Sequence, residues 1–413
     1  MSGKASLLLV IGFSMIFMAK ATKLLEFSNS AVDNYVQYYS ESIAHNIAVA
    51  GANMASNELF FNKYWTKGYS NLDFSGGKLD VQIQTIGADN RKIISIGDFN
   101  GISDSVIVTL QPKNFAQYGN FYNSMAAWAA TGDTFSGPFH TNDFLKCYGD
   151  PVFLGYTTTR KGLMKYKPWM NPEFQGGFES GVYIPLEFDT SEIRQAAYSG
   201  GYIFKDNSKK QKVIDVSLVF NEDGTVTYKQ KTGKKWSSEQ TVPLTDLAPN
   251  GVIYVEKGNI YVEGTLSGQA TIVASRKGSS AGMVHITDDI VYKNNPLTNP
   301  NSTDMLGIVA ERNVQVDFNP STGDLDIHAS IYSQADGLVI ENYQKYPSAN
   351  NMNIIGGVIG EKVQPTAEYV WKNGKLVAVA GYRYVHKFDE RFYSFVPPFF
   401  PKTKYYKVVS WLE

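Results

Sequence analysis

The chain opens on an apolar run. Residues 5–19, ASLLLVIGFSMIFMA, carry no charge, with Lys4 before them and Lys20 and Lys23 after. Fifteen helical residues cover about 22 Å at 1.5 Å each, against a hydrocarbon core of roughly 30 Å. Ala21, Leu24, Leu25 and Phe27 prolong the apolar character, and the two lysines can snorkel. Two exported readings follow. In one, residues 1–27 are a retained hydrophobic helix acting as membrane anchor or filament core. In the other, a signal peptide is cut at the A-x-A site Ala19-Lys20-Ala21. Residues 30–61 continue in a helical pattern, with no Pro, a single Gly and many Ala, Asn and Glu. Ala44, Ala48 and Ala52 lie four apart, as do Gly51 and Ala55. That stripe of small residues predicts a helix-packing interface, where another helix or a sheet approaches closely.

From Gly76 the period changes to two. Leu79, Val81 and Ile83 alternate with Asp80, Gln82 and Gln84; residues 93–96 form a second apolar run, and Val106, Val108 and Leu110 a third. The turn clusters GADN (87–90) and NGISD (100–104) separate three expected strands. Residues 28–111 therefore read as a helix followed by a small antiparallel sheet. Residues 112–212, rich in Gly, Pro and aromatic side chains, show little periodicity and read as irregular. Around NEDG (221–224) two alternating runs predict a β-hairpin, since Asp-Gly tolerates the positive φ of a tight turn. Short strands then recur from residue 250 to 360, among them VIYV, NIYVEG, ATIVAS, LGIVA and NIIGGVIG, separated by GN, SG, GSS and ADG turns. Residues 213–360 thus suggest an irregular β-solenoid, with a β-sandwich as the alternative. C-terminal strands are expected over 361–413. The fold class is mainly β with a long N-terminal α-helix.

The helix YYSESIAHNIAVAGANMASNELF (38–60) resembles the alanine-rich segment that follows the apolar anchor in PilX-like minor pilins and type II secretion pseudopilins. Prepilins carry a Gly before the apolar stretch and a Glu five residues into it. Here Gly3 is followed at that distance by Leu8, and Gly12 by Phe17. The stretch TGDTFSGPFHTNDFLKCYGDPVFLGYTTT (131–159) resembles the G-P-x-H-T-N-G motif of an envelope family of uncharacterised function, with Asp143 in place of the last Gly. Members of that family have pilin-like N-termini and β-rich bodies, and the C-terminus from Tyr382 onward is similar to theirs. The resemblance implies architecture: a pilin-like helix and sheet carrying a β-rich body, with other pilin-like subunits or further copies of the chain as partners through the helix.

Composition and charge narrow the chemistry. With 38 basic and 39 acidic residues among 413, the net charge of −1 gives no field to steer nucleic acid, which is not an expected partner. The aromatic share of 14% suits strands. A single cysteine, Cys147, excludes an internal disulfide and paired Cys/His metal frameworks. Of the five histidines only His140, in GPFHTND, has a distinctive context. His140, Thr141 and Asn142 are read as a structural motif that locks a turn by bonding backbone groups. Asp324, Asp326 and Asp336 either solvate a turn or meet as an oxygen-rich cation site. No nucleophile elbow, phosphate-binding loop or zinc-protease signature occurs, so no catalytic residue, cofactor or metal is expected. The reading is a structural component of the cell envelope, held in the inner membrane by residues 5–19 or assembled into an extracellular filament. Its body, outside the cytoplasm, would serve assembly or adhesion toward a surface glycan or protein. The alternative is an exported β-helical carbohydrate-binding protein or polysaccharide-degrading enzyme.

Overall fold

The computed structural model describes residues 2–86, 90–187, 189–276, 278–321, 323–372 and 375–413. The chain divides into two compact units: residues up to 113 together with 404–413, and residues 114–403.

In the first unit, helix α1 (Ser2–Phe61) runs unbroken for 60 residues. Its side chains stay exposed almost throughout residues 6–39, whereas Ile47, Ala48, Ala52, Ala55 and Leu59 are buried. The burial is supplied by an antiparallel meander of β1 (Tyr69–Phe74), β2 (Gly77–Ile86), β3 (Asn90–Phe99) and β4 (Ile102–Asn114), to which the closing strand Lys402–Leu412 adds beside β4. Period-two patterning puts Leu79, Val81, Ile93, Val106 and Val108 on the helix side, and Tyr406 and Trp411 of the closing strand pack against the same core. Close approach needs small residues on both surfaces. A Cβ on Gly97 would sit 2.2 Å from the Ala44 carbonyl oxygen, and one on Gly51 2.4 Å from the Leu79 and Ser95 side chains. This is the expected plan of helix on small antiparallel sheet.

The second unit is built from parallel strands, stacked coil upon coil in three ladders. The first ladder runs, in spatial order, through Tyr202–Phe204, Val252–Val255, Gln269–Ala274, Met305–Ala310, the end of Leu325–Ser333 and the end of Ala349–Val363. It then passes to Asn120–Met125, Phe139–Thr141, Thr157–Thr159 and Phe178–Ser180. The spatial order is not the chain order. The chain enters the stack midway at Asn120, winds outward to Ser180, crosses to the far end and winds back to meet its own starting strand. A third ladder closes the same circuit: residues 381–387 pair with residues 349–355 on one side and, at Val385, with Thr134 on the other. One coil is thus composite, with one face from each arm.

The crossover walks along the outside of the first ladder. Val182 N–H donates to Thr159 O, the Tyr332 hydroxyl to Glu187 O, the Thr190 hydroxyl to Glu311, and the Asn250 side-chain amide to Ala196 O. With the exit segment around Phe388, Phe392 and Phe400 it gives that ladder a second apolar layer. Strands covered on both faces lose alternation, and Val252–Val255 and Met305–Ala310 are buried at every position. At one end of the stack Ile214–Phe220 pairs antiparallel with Thr225–Lys231 through the NEDG turn, and Gln240–Pro243 follows. The ladders thus make one large sheet of mainly parallel pairing, with antiparallel hairpins joined to it. Residues 112–212, expected to be irregular, supply the whole outgoing arm.

Candidate functional site

The second ladder is interrupted where the two arms meet. One run passes through Ile214–Phe220, Gly258–Leu266, Val284–Tyr292, Val314–Val316 and Leu338–Ile340. The other, Ala129–Ala130, Phe144–Tyr148 and Gly162–Lys165, forms a separate three-stranded sheet. The gap between them is a cavity of about 420 Å³. Leu338 lines one side and Ala129 and Ala130 the other, and the hairpin of Ala367–Lys372 with Lys375–Lys387 contributes Tyr369, Leu376 and Tyr384. Tyr122, Phe135 and Phe139 are buried rings within, while Trp128 and Tyr166 are exposed at the edge and meet at right angles, 5.5 Å apart.

Asp133 is the charged residue of this lining. Its carboxylate accepts from the Ala130 N–H (2.7 Å) and the Tyr369 hydroxyl (3.3 Å), and its own N–H returns to Ala130 O. Burial pushes the carboxyl up to about 7, against the opposing pull of those two donors. Beside the cavity, a buried polar chain ties the arms together. The Tyr122 and Tyr384 hydroxyls both donate to Asn120 Oδ1 (3.1 and 2.8 Å). The Asn120 amide faces His386 Nδ1 at 3.4 Å, and His386 Nε2 donates to Gly356 O at 3.0 Å. Asn120 opens the outgoing arm, Gly356 belongs to the returning one and His386 to the composite coil.

The His140-Thr141-Asn142 motif lies in the outgoing arm, fully out of solvent. Asn142 treats the crossover as a strand partner: Oδ1 accepts from Ile184 N–H (3.1 Å) and Nδ2 donates to Ile184 O (2.6 Å). His140 Nε2 donates to the same Oδ1 (3.0 Å), and Nδ1 accepts from the Thr158 hydroxyl of the next coil (2.7 Å). The Thr141 hydroxyl accepts from Asp143 N–H. The motif therefore fastens the crossover to the stack.

The other sequence candidates are dispersed. Asp324 is bonded to Asn351, Asp326 to Asn353 and Asp336 to Gln364, each pair linking neighbouring coils. Among the described residues no group of three metal-ligating side chains assembles. His45 pairs with Asp104, and His285 pairs with Asp317 while stacking on Tyr261. Cys147 is buried, its thiol pushed up to about 12 by that burial. The stripe of Ala44, Ala48, Gly51, Ala52 and Ala55 faces the chain's own β2 and β3; as an interface it is internal, occupied by the sheet and closed to a helix from another subunit. What stands open is the earlier part of α1. It holds an 18-residue window apolar enough to cross a membrane, none of it buried, with Leu7, Leu8, Val10, Phe13, Ile16 and Phe17 all exposed.

Asp133 and the cavity rings escaped the sequence reading. The one local signal is Trp128 amid small residues in MAAWAATGD, and nothing there announces Tyr369 or Tyr384 as neighbours.

No family model matches the chain, and no curated protein matches it. Among solved structures it is similar to the competence-associated pilin ComZ from Thermus thermophilus, at 10% sequence identity and a TM-score of 0.35, covering 90% of this chain and 97% of that one.

Proposed function

We propose that this chain is a pilin-like structural component of the cell envelope, anchored or assembled through α1 and displaying the coiled body outside the cytoplasm. One observation supports this above the rest. A single helix is sealed beneath its own sheet from Ala44 onward, yet presents bare apolar side chains over residues 7–18. Side chains such as Leu8, Phe13 and Phe17 lose a favourable transfer free energy of about 1.5–3 kcal/mol each while left in water. A bilayer, or the packed helices of neighbouring pilin-like subunits, is the surrounding that removes this cost. The helix carries Lys4, Lys20 and Lys23 at the borders of that run, where their ammonium groups reach headgroups. The body would then act in assembly or adhesion, and no turnover is assigned to it.

Fractionation of native cells with N-terminal sequencing tests the reading. Mature protein that retains residues 7–18 and sediments with membranes or sheared filaments is expected. A soluble mature chain beginning at Thr22 would overturn it.

A further inference from the structure

We propose that the cavity at the meeting of the two arms is a binding site for a small organic amine with a ring-sized apolar body. The argument starts from what the missing rung leaves behind. Where one strand of the second ladder is absent, side chains line a half-open space that backbone would otherwise fill, and its volume of about 420 Å³ falls in the range of small-molecule sites.

The lining selects among ligand classes. Its rings include Tyr122, Phe135, Phe139, Tyr148, Tyr369 and Tyr384, and alanines and Leu338 complete an apolar wall. A polyhydroxylated ligand would find the Tyr122, Tyr369 and Tyr384 hydroxyls and the Gln364 amide of the lining already donated to Asn120, Asp133 and Asp336, and each of its own hydroxyls buried unpaired would cost roughly 1–3 kcal/mol. An anion would meet Asp133 with no lysine, arginine or histidine among the described residues of the lining to offset it. A plain hydrocarbon would fill the space yet leave a carboxylate facing it.

A cation satisfies both features. Ring faces attract an ammonium group through their quadrupoles, and a carboxylate beside them supplies the counter-charge. Asp133 forms no ion pair among the described residues, and its two donors, Ala130 N–H and the Tyr369 hydroxyl, leave carboxylate lone pairs for a further donor. Burial holds this carboxyl far above the usual range, as happens where a charge lacks its partner; a bound ammonium would draw it back. Trp128 and Tyr166 stand exposed at the edge, where they can close over the apolar body of the ligand.

The test is calorimetric titration of the full chain in lipid nanodiscs at about pH 8, where both amine and carboxyl are charged. Empty nanodiscs serve as blank. The probes are phenethylammonium, 2-phenylethanol and 3-phenylpropionate, alike in size and different in charge. Phenethylammonium should bind at least about tenfold more tightly than either other probe, a margin ordinary for one charge-paired, ring-faced ammonium. Asp133→Asn keeps an acceptor for Ala130 N–H and should reduce the amine's advantage over the alcohol to about twofold or less. Ala127→Trp, at a half-exposed position of the lining, should abolish binding of all three probes. Equal affinity for amine and alcohol in the parent, an unchanged amine preference in a folded Asp133→Asn variant, or no binding of any probe would each overturn the proposal.

Discussion

His328 and His386 lie inside the body, and burial depresses both imidazoles to about 4. His328 Nδ1 accepts from Tyr292 N–H, whereas the Gly356 and Ser136 carbonyls beside His386 favour its charged form and are outweighed by burial. An unfolded histidine titrates near 6.5, so the stability tied to these rings is complete above that pH and is lost as pH falls toward 4. The loss is on the order of 3 kcal/mol for each ring. Asp133 acts in the opposite sense. Its carboxyl is raised to about 7, so the folded state favours the protonated form. That contribution is present below about pH 4 and disappears as pH rises through 7. Asp133→Asn should therefore stabilise the protein at pH 8 by on the order of 2–4 kcal/mol, with little gain at pH 4.5. Its acid-side loss, driven by the two histidines, should be steeper than the parent's. Urea unfolding midpoints at the two pH values check this; an equal shift at both would show that Asp133 is ionised in the fold. Residue roles were partly legible in the sequence. GPFHTND stood out by composition, but the partner that explains Asn142, Ile184, lies 42 residues away and has no mark of its own.

The helix-on-sheet element depends on near contact of two backbones. Gly97 of β3 lies where a Cβ would meet Ala44 O at 2.2 Å and Ala48 N at 2.7 Å, and backbone cannot step aside as a flexible side chain can. Gly97→Ala should cost about 1–3 kcal/mol, the usual penalty of overpacking, and lower the melting temperature of the first unit. Unchanged melting would mean that helix and sheet separate without cost. The closing strand Lys402–Leu412 covers β4 and lends Tyr406 and Trp411 to the core. Deleting residues 405–413 should expose that edge, and limited proteolysis should then cut within β4. A variant as resistant as the parent would make the strand dispensable. The period-two strands of the sheet and the NEDG hairpin could be read from the sequence because each has one wet face. The outgoing arm could not. Its strands Thr134–Phe135, Phe139–Thr141, Val152–Phe153 and Thr157–Thr159 are two or three residues long. Buried Thr157 and Thr159 further blur the contrast of polar and apolar positions.

At the scale of the whole chain, the coiled body is an insertion between β4 and the closing strand of one small sheet. The rhythm of short strands and turns from residue 250 onward suggested coils, but no spacing in the sequence reveals where the stack begins. Pairings such as Phe121 with Ile359 and Thr134 with Val385 join positions hundreds of residues apart, which no local pattern encodes. The composite coil has a consequence for how the molecule comes into being. A ribosome delivers residues 120–180 long before residues 349–387, so the first arm of the nascent chain must wait with Asn120–Met125 unpaired on its inner side. An open strand edge backed by apolar side chains invites association with other chains. A chain stopped after residue 348 makes that waiting permanent, and sedimentation should find it aggregated; a soluble monomer would show that each arm is sufficient alone. During synthesis the exposure lasts only as long as elongation. A holding chaperone, or a channel that keeps the chain extended until its last third has passed, would serve this protein better than one that lets it fold from its first coil onward.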